Sequence, residues 1–149
     1  MSACVAAGAG FLLAVLWFDL MFDVQAARTP PGALPEATLA SISSYYARVT
    51  TAARPMNRLI AAVMLATLAA ITVELAAGTR EGWLPWISLV LALPPIALAG
   101  ARTVPGAVRL SERRDDPDRQ SALARSILRE HLYCFASIAS LVAVQLIAG

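Results

Sequence analysis

With 149 residues, 58% of them apolar and 15% charged, and a mean hydropathy of +0.66, the chain carries too little polar surface for a soluble domain of its size. A net charge of +2, with arginine as the sole basic residue type, excludes a basic nucleic-acid-binding surface, so no nucleic-acid partner is expected. Lipid is the solvent that this composition requires.

The first apolar run covers residues 3–22 and is interrupted only by Asp19; at roughly 20 residues it is long enough to cross the hydrocarbon. Met1 to Cys4 carries no basic residue, so the run is read as a span and not as a cleaved signal, despite the cleavage-like Val24-Gln25-Ala26. Further runs at 59–77, 83–101 and 132–148 give four spans in all, bounded by charge, glycine or proline. The fold class is therefore all-α, a membrane-embedded four-helix bundle forming a single domain over residues 1–149. Cys4 and Cys134 fall on opposite membrane faces in this layout, which excludes a disulfide between them.

Two long connections join the spans. The first, 25–57, is expected to hold an additional amphipathic helix opening at Pro35-Glu36. Leu39, Ile42, Tyr46 and Val49 form its apolar side, set against the membrane surface or the bundle, and Arg54-Pro55 closes it. In the second, 102–126, Asp116-Pro117-Asp118 has the form of a helix start, with an acidic cap followed by proline at the first helical position. The arginines gather on these two connections. Arg28, Arg48, Arg54 and Arg58 accompany the first, and Arg102, Arg109, Arg113, Arg114, Arg119, Arg125 and Arg129 the second, while the turn between spans two and three has only Arg80. The positive-inside bias then places both connections in the cytoplasm, with both termini outside and Trp83 and Trp86 at the outer interface; the absence of lysine and abundance of alanine suit a GC-rich bacterial genome, hence the inner membrane of a bacterium.

Inside such a bundle every ionisable residue is expensive. Asp19 and Asp23 are four apart, on one face of the first helix in line with Leu16, Leu12 and Gly8. A short carboxylate cannot snorkel, so Asp19 is expected to face protein or water, while Asp23 lies closer to the interface. Arg58 and His131 fall at a similar depth. Two readings follow: a polar or ion site in which the acids and His131 bind a cation, shuttle protons or coordinate a metal, and a structural tie in which Asp19 or Asp23 pairs with Arg58. No metal-ligand motif is present, and no cofactor is assigned. Glu74 and Gln145 form a candidate outer polar site, either as a hydrogen-bonded pair or with Glu74 reached by water and Arg80 at the membrane edge. Pro94-Pro95 breaks or kinks the third span by removing two backbone donors.

Small residues recur at helix-packing spacing: Ala6 and Gly10; Ala62, Ala66 and Ala70; Ser137 and Ser140. On the fourth span, His131, Cys134, Ile138, Val142 and Gln145 share a face expected to line the interior. The segments Trp17 to Gln25 and Ala124 to Leu132 resemble those of small bacterial four-helix membrane proteins, and the layout with a long first connection is similar to that of anthrone-oxygenase-like membrane proteins. The resemblance implies the architecture over most of the chain and carries over no catalytic residue. Three functional classes stand at this point. The first, and the one favoured by the sequence, is a non-enzymatic bundle that self-associates as a homo-oligomer or joins other membrane-protein subunits. The second is a proton- or ion-coupled carrier, and the third a membrane-embedded enzyme acting on a lipid or quinone.

Overall fold

The computed structural model describes residues 2–29, 32–52, 54–78 and 82–148. They form six helices: α1 (Ser2–Ala27), α2 (Glu36–Tyr46), α3 (Arg54–Ala77), α4 (Leu84–Leu98), α5 (Val104–Glu112) and α6 (Pro117–Ala148). No strand occurs among the described residues. Four helical stretches are long and apolar enough to cross a membrane: Ala3–Ala27, Pro55–Ala77, Leu84–Glu112 and Pro117–Ala148.

Helix starts and stops follow local chemistry. Pro117 opens α6, and the Asp116 carboxylate accepts the backbone N–H of Arg119 at 3.0 Å, so one of the four orphan donors of the first turn is capped. Arg113, in the left-handed conformation at φ 52°, ends α5. Two segments wind wider than an α-helix: α2 continues as π-helical turns over Ala47–Ala52, and α4 joins α5 through a π-helical stretch, Ala99–Thr103. Pro94 and Pro95 therefore do not end their helix. It runs on through the π turns to Glu112, carrying the third span's helix well beyond residue 101. Likewise Arg54 and Pro55 do not close the amphipathic helix. They open α3, since proline at the first turn lacks only a donor that would be unpaired there anyway.

The four long helices form a ring in which α1 packs on α3 and α6, and α4 closes the circuit between α3 and α6. At the end where α1 begins and α6 finishes, the ring is filled by Val5, Ala9, Leu12, Ile71, Ala92, Ile138 and Leu141. At the arginine-rich end a second core forms, in which Leu39, Ile42 and Tyr46 of α2 and Ala107 and Leu110 of α5 meet Ala26, Ala124, Ile127 and Leu128. Thus α2 lies against the bundle, burying the stripe that the sequence spacing marks out. Polar ties hold this cap in place: Ser121 Oγ accepts the Leu34 N–H at 2.8 Å, and Arg113 donates to Glu36 at 2.7 Å. That hydrogen bond, with the guanidinium charge, holds the Glu36 carboxyl below its ordinary range.

Helices α1 and α3 approach closely at Gly8, where a Cβ would overlap the Thr67 hydroxyl, itself bonded to the Val63 carbonyl at 2.8 Å. The small residues Gly10, Ala62 and Ala66 instead face outward. Spacing alone marks a helix face without saying which neighbour it meets. Gly8→Ala is expected to lower stability by about 1–3 kcal/mol through overpacking. Gly8→Ala combined with Thr67→Ala should recover most of the loss, measured by thermal unfolding in detergent. An unchanged midpoint in the single variant would mean that the two helices do not meet at Gly8.

Candidate functional site

The last turns of α1, the end of α2 and the middle of α6 bring five polar side chains together. Asp23, only 1% exposed, accepts the Tyr46 hydroxyl on Oδ1 at 2.6 Å and bonds His131 Nδ1 through Oδ2 at 2.6 Å. One turn earlier, Asp19 Oδ1 accepts the Tyr45 hydroxyl at 2.6 Å. His131 Nε2 points toward Asp19 Oδ2 at 3.8 Å, too long for a direct hydrogen bond. At about 1.5 Å per residue, Asp19 and His131 both lie roughly 25 Å along their helices from the Ser2 and Ala148 ends. Within a hydrocarbon core of roughly 30 Å this is the inner edge, counted from those ends.

Burial and the neighbouring carboxylates raise both phenols well above the ordinary tyrosine range, so Tyr45 and Tyr46 act as hydroxyl donors at neutral pH. Asp23 has both oxygens engaged. An acceptor oxygen on Nδ1 favours the tautomer with the proton there, which turns Nε2, the other ring nitrogen, toward Asp19. A buried carboxylate that orients an imidazole in this way is the arrangement by which a histidine becomes a directed acid or base.

His131, Asp19, Tyr45 and Tyr46 form the polar end of a cavity of about 360 Å³ in the centre of the ring. Its remaining walls are mostly apolar, with Leu12, Leu16, Ile60, Met64, Ile96 and Ile138 among them. Both π-helical segments contribute, Val49 and Thr50 from the first, Ala99 and Thr103 from the second. Thr103 Oγ1 also donates to Glu130 at 2.7 Å, a carboxylate further bonded to Ser126 at 3.2 Å and 3.8 Å from Arg102, so the second π segment is pinned to α6 beside His131. Pro95 lines the cavity next to Cys134, whose thiol lies 3.7 Å from the Pro95 carbonyl oxygen.

Of the residues that the sequence places at this level, Asp19, Asp23 and His131 converge, and Arg58 does not. Its side chain is exposed, and the close partners of the two acids are the tyrosines and His131. Phenols and imidazole satisfy a buried carboxylate without the desolvation that a guanidinium would suffer. Asp23, expected nearer the interface, is the more buried of the two acids because α2 folds over it. Tyr45 was not singled out from sequence, and Tyr46 only as an apolar position. An adjacent tyrosine pair on a short Ser/Ala-rich helix was the available signal. No group of three or more His, Cys, Asp and Glu side chains is arranged to hold a metal among the described residues. In the cluster itself, His131 Nδ1 and Asp23 Oδ2 are directed at each other.

The outer pair does not form. Glu74, within one turn of the end of α3, is 1% exposed, and neither carboxyl oxygen has a hydrogen-bond partner among the described residues. Gln145 instead donates to Ser88 Oγ at 2.8 Å. Arg80 lies outside the described residues. The interior face of α6 is as expected, with His131, Cys134, Ile138 and Gln145 all buried and Val142 packed against the core. No protein family, curated protein or solved structure matches the chain.

Proposed function

We propose that the protein is a membrane-embedded enzyme that takes an apolar molecule of lipid or quinone kind into the central cavity and transfers a proton at its polar head, with His131 as the acid–base group. The observation that carries this reading is the Asp23-oriented imidazole facing an apolar cavity of about 360 Å³, a size ordinary for small-molecule sites. Asp23 and Tyr46 hold the ring, and Asp19, steadied by Tyr45, supplies a second carboxylate where a substrate head would lie. Under the positive-inside bias the site opens near the cytoplasmic face of a bacterial inner membrane, with both termini outside.

A proton- or ion-coupled carrier would require a path through the other half of the ring, which Ile71, Ala92, Ile138 and Leu141 fill. Assembly into a homo-oligomer, or with other membrane subunits, is compatible with an enzyme and needs no oriented imidazole.

Native mass spectrometry of gently extracted protein tests the proposal. One organic molecule per chain is expected to be retained. Ile60→Trp, which projects into the cavity, should reduce its occupancy at least tenfold while Cys134 stays protected from thiol reagents. Once its mass identifies it, the molecule should be converted by the wild type and, with His131→Gln, about 10²- to 10⁴-fold more slowly, the usual range for a positioned acid–base. A bare chain, or undiminished turnover without His131, overturns the reading.

A further inference from the structure

Two details of the cavity go beyond its being occupied: the gap at its polar end and the place where its wall meets the exterior. Asp23 has no oxygen to spare, and Asp19 Oδ1 is taken by Tyr45. That leaves Asp19 Oδ2 and His131 Nε2, 3.8 Å apart, both lining the cavity. With His131 as an imidazolium between Asp23 and Asp19, one oxygen atom placed about 2.8 Å from each would subtend about 85° between them, within reach of a hydroxyl that donates to the carboxylate and accepts from Nε2–H. A carbonyl head has nothing to donate to Asp19, and an anionic head would face two carboxylates at close range in an apolar setting. An ammonium would arrive among Leu12, Leu16, Ile60 and Met64 with one free acceptor for three donors.

Around the rim, the lining side chains that are themselves exposed are apolar: Phe18 at 59%, Met56 at 46% and Val104 at 41%. They lie on α1, on the first turn of α3 and on the first turn of α5, around the start of α3. The opening thus lies on the flank of the bundle, at the level where the hydroxyl of a membrane amphiphile resides. At about 360 Å³ the cavity is near the small end of the range for ligand sites, which suits one slender chain better than two.

We infer that the cavity admits an uncharged single-chain amphiphile with a hydroxyl head, loaded sideways from the bilayer past Phe18 and Met56. The head oxygen sits between Asp19 Oδ2 and His131 Nε2, and the tail trails out beside α3 into lipid. This rests on the reading of the cavity as a substrate site and adds the head chemistry and the route.

The test uses the full chain in phosphatidylcholine nanodiscs containing hexadecan-1-ol with a mid-chain diazirine, or the corresponding hexadecanoic acid or hexadecylamine. After photolysis, the alcohol is expected to label residues 12–19 or 56–64 saturably, at no more than one probe per chain and at least tenfold above acid or amine. Asp19→Ala should lower that labelling at least tenfold with Cys134 still protected. Phe18→Trp and Met56→Trp, on exposed positions that tolerate bulk, should slow its onset severalfold. Equal labelling by acid or amine overturns the head assignment, and an unchanged onset in both tryptophan variants overturns the lateral route. If the alcohol fails to label while the natural adduct persists in native mass spectra, this inference falls and the enzyme reading stands. If both are absent, both fall.

Discussion

Asp23→Ala is expected to lower the stability of the folded bundle by about 3–5 kcal/mol, the cost typical of removing one partner from a buried, hydrogen-bonded ionisable pair. Asp23 accepts the Tyr46 hydroxyl and holds His131 Nδ1, so its loss leaves two buried polar groups, on α2 and α6, with only their long 3.4 Å contact to each other. It also loosens the cap, because Tyr46 belongs to the same core cluster as Leu39 and Ile42. Tyr46→Phe removes one hydroxyl and leaves the His131 bond, so a smaller loss of about 1–2 kcal/mol is expected. Cys134 gives a convenient readout, being a buried free thiol, and the exposed Cys4 can be removed as Cys4→Ser. The rate at which Cys134 becomes reactive on heating then reports unfolding. A loss below 1 kcal/mol for Asp23→Ala would mean that the carboxylate is not what joins α1, α2 and α6.

The opposite sign is expected at Glu74. A side chain 1% exposed with two unpartnered oxygens is unfavourable wherever it sits, and more so on a helix apolar enough to cross a bilayer. Glu74→Met, close in volume and without the oxygens, is expected to stabilise the chain by about 1–3 kcal/mol in the same thiol assay. Glu74→Gln keeps polar atoms in the same surroundings and should give less than half of that gain. A destabilisation by Glu74→Met would show that the carboxyl is satisfied in the membrane by a group from outside this chain, and would favour a larger assembly.

Much of this architecture is legible from sequence because lipid imposes simple rules. Apolar runs near 20 residues mark the helices that can span, and charge, Gly or Pro marks their edges. The Asp116-Pro117 start and the Leu39, Ile42, Tyr46 stripe each rest on local chemistry that packing does not overrule. The convergence of Asp19, Asp23 and His131 follows from depth alone, since three expensive groups at one level must find one another or water. Depth does not choose among partners, however. Arg58 was as close in depth as His131, and what separates them is that a guanidinium on a long stem reaches solvent while an imidazole on a short one in the middle of α6 cannot. The role of Tyr45 and Tyr46 depends on how α2 docks, a tertiary fact without a sequence period. The same holds for Glu74 and Gln145, which share a depth and face different neighbours.

The π-helical segments carry a consequence of another kind. Each holds a surplus residue relative to an α-helical turn, and each sets side chains into the cavity wall that regular winding would turn elsewhere. Excising a single position from Ala99–Thr103 would rotate everything on one side of it by about 100° and shift it by about 1.5 Å. Thr103 would leave Glu130, and the wall would be redrawn without any change of residue type nearby. Substitutions among the alanines there would be mild by comparison. The cavity is in this respect a matter of counting: its shape depends more on the number of residues in these turns than on which small side chains they carry.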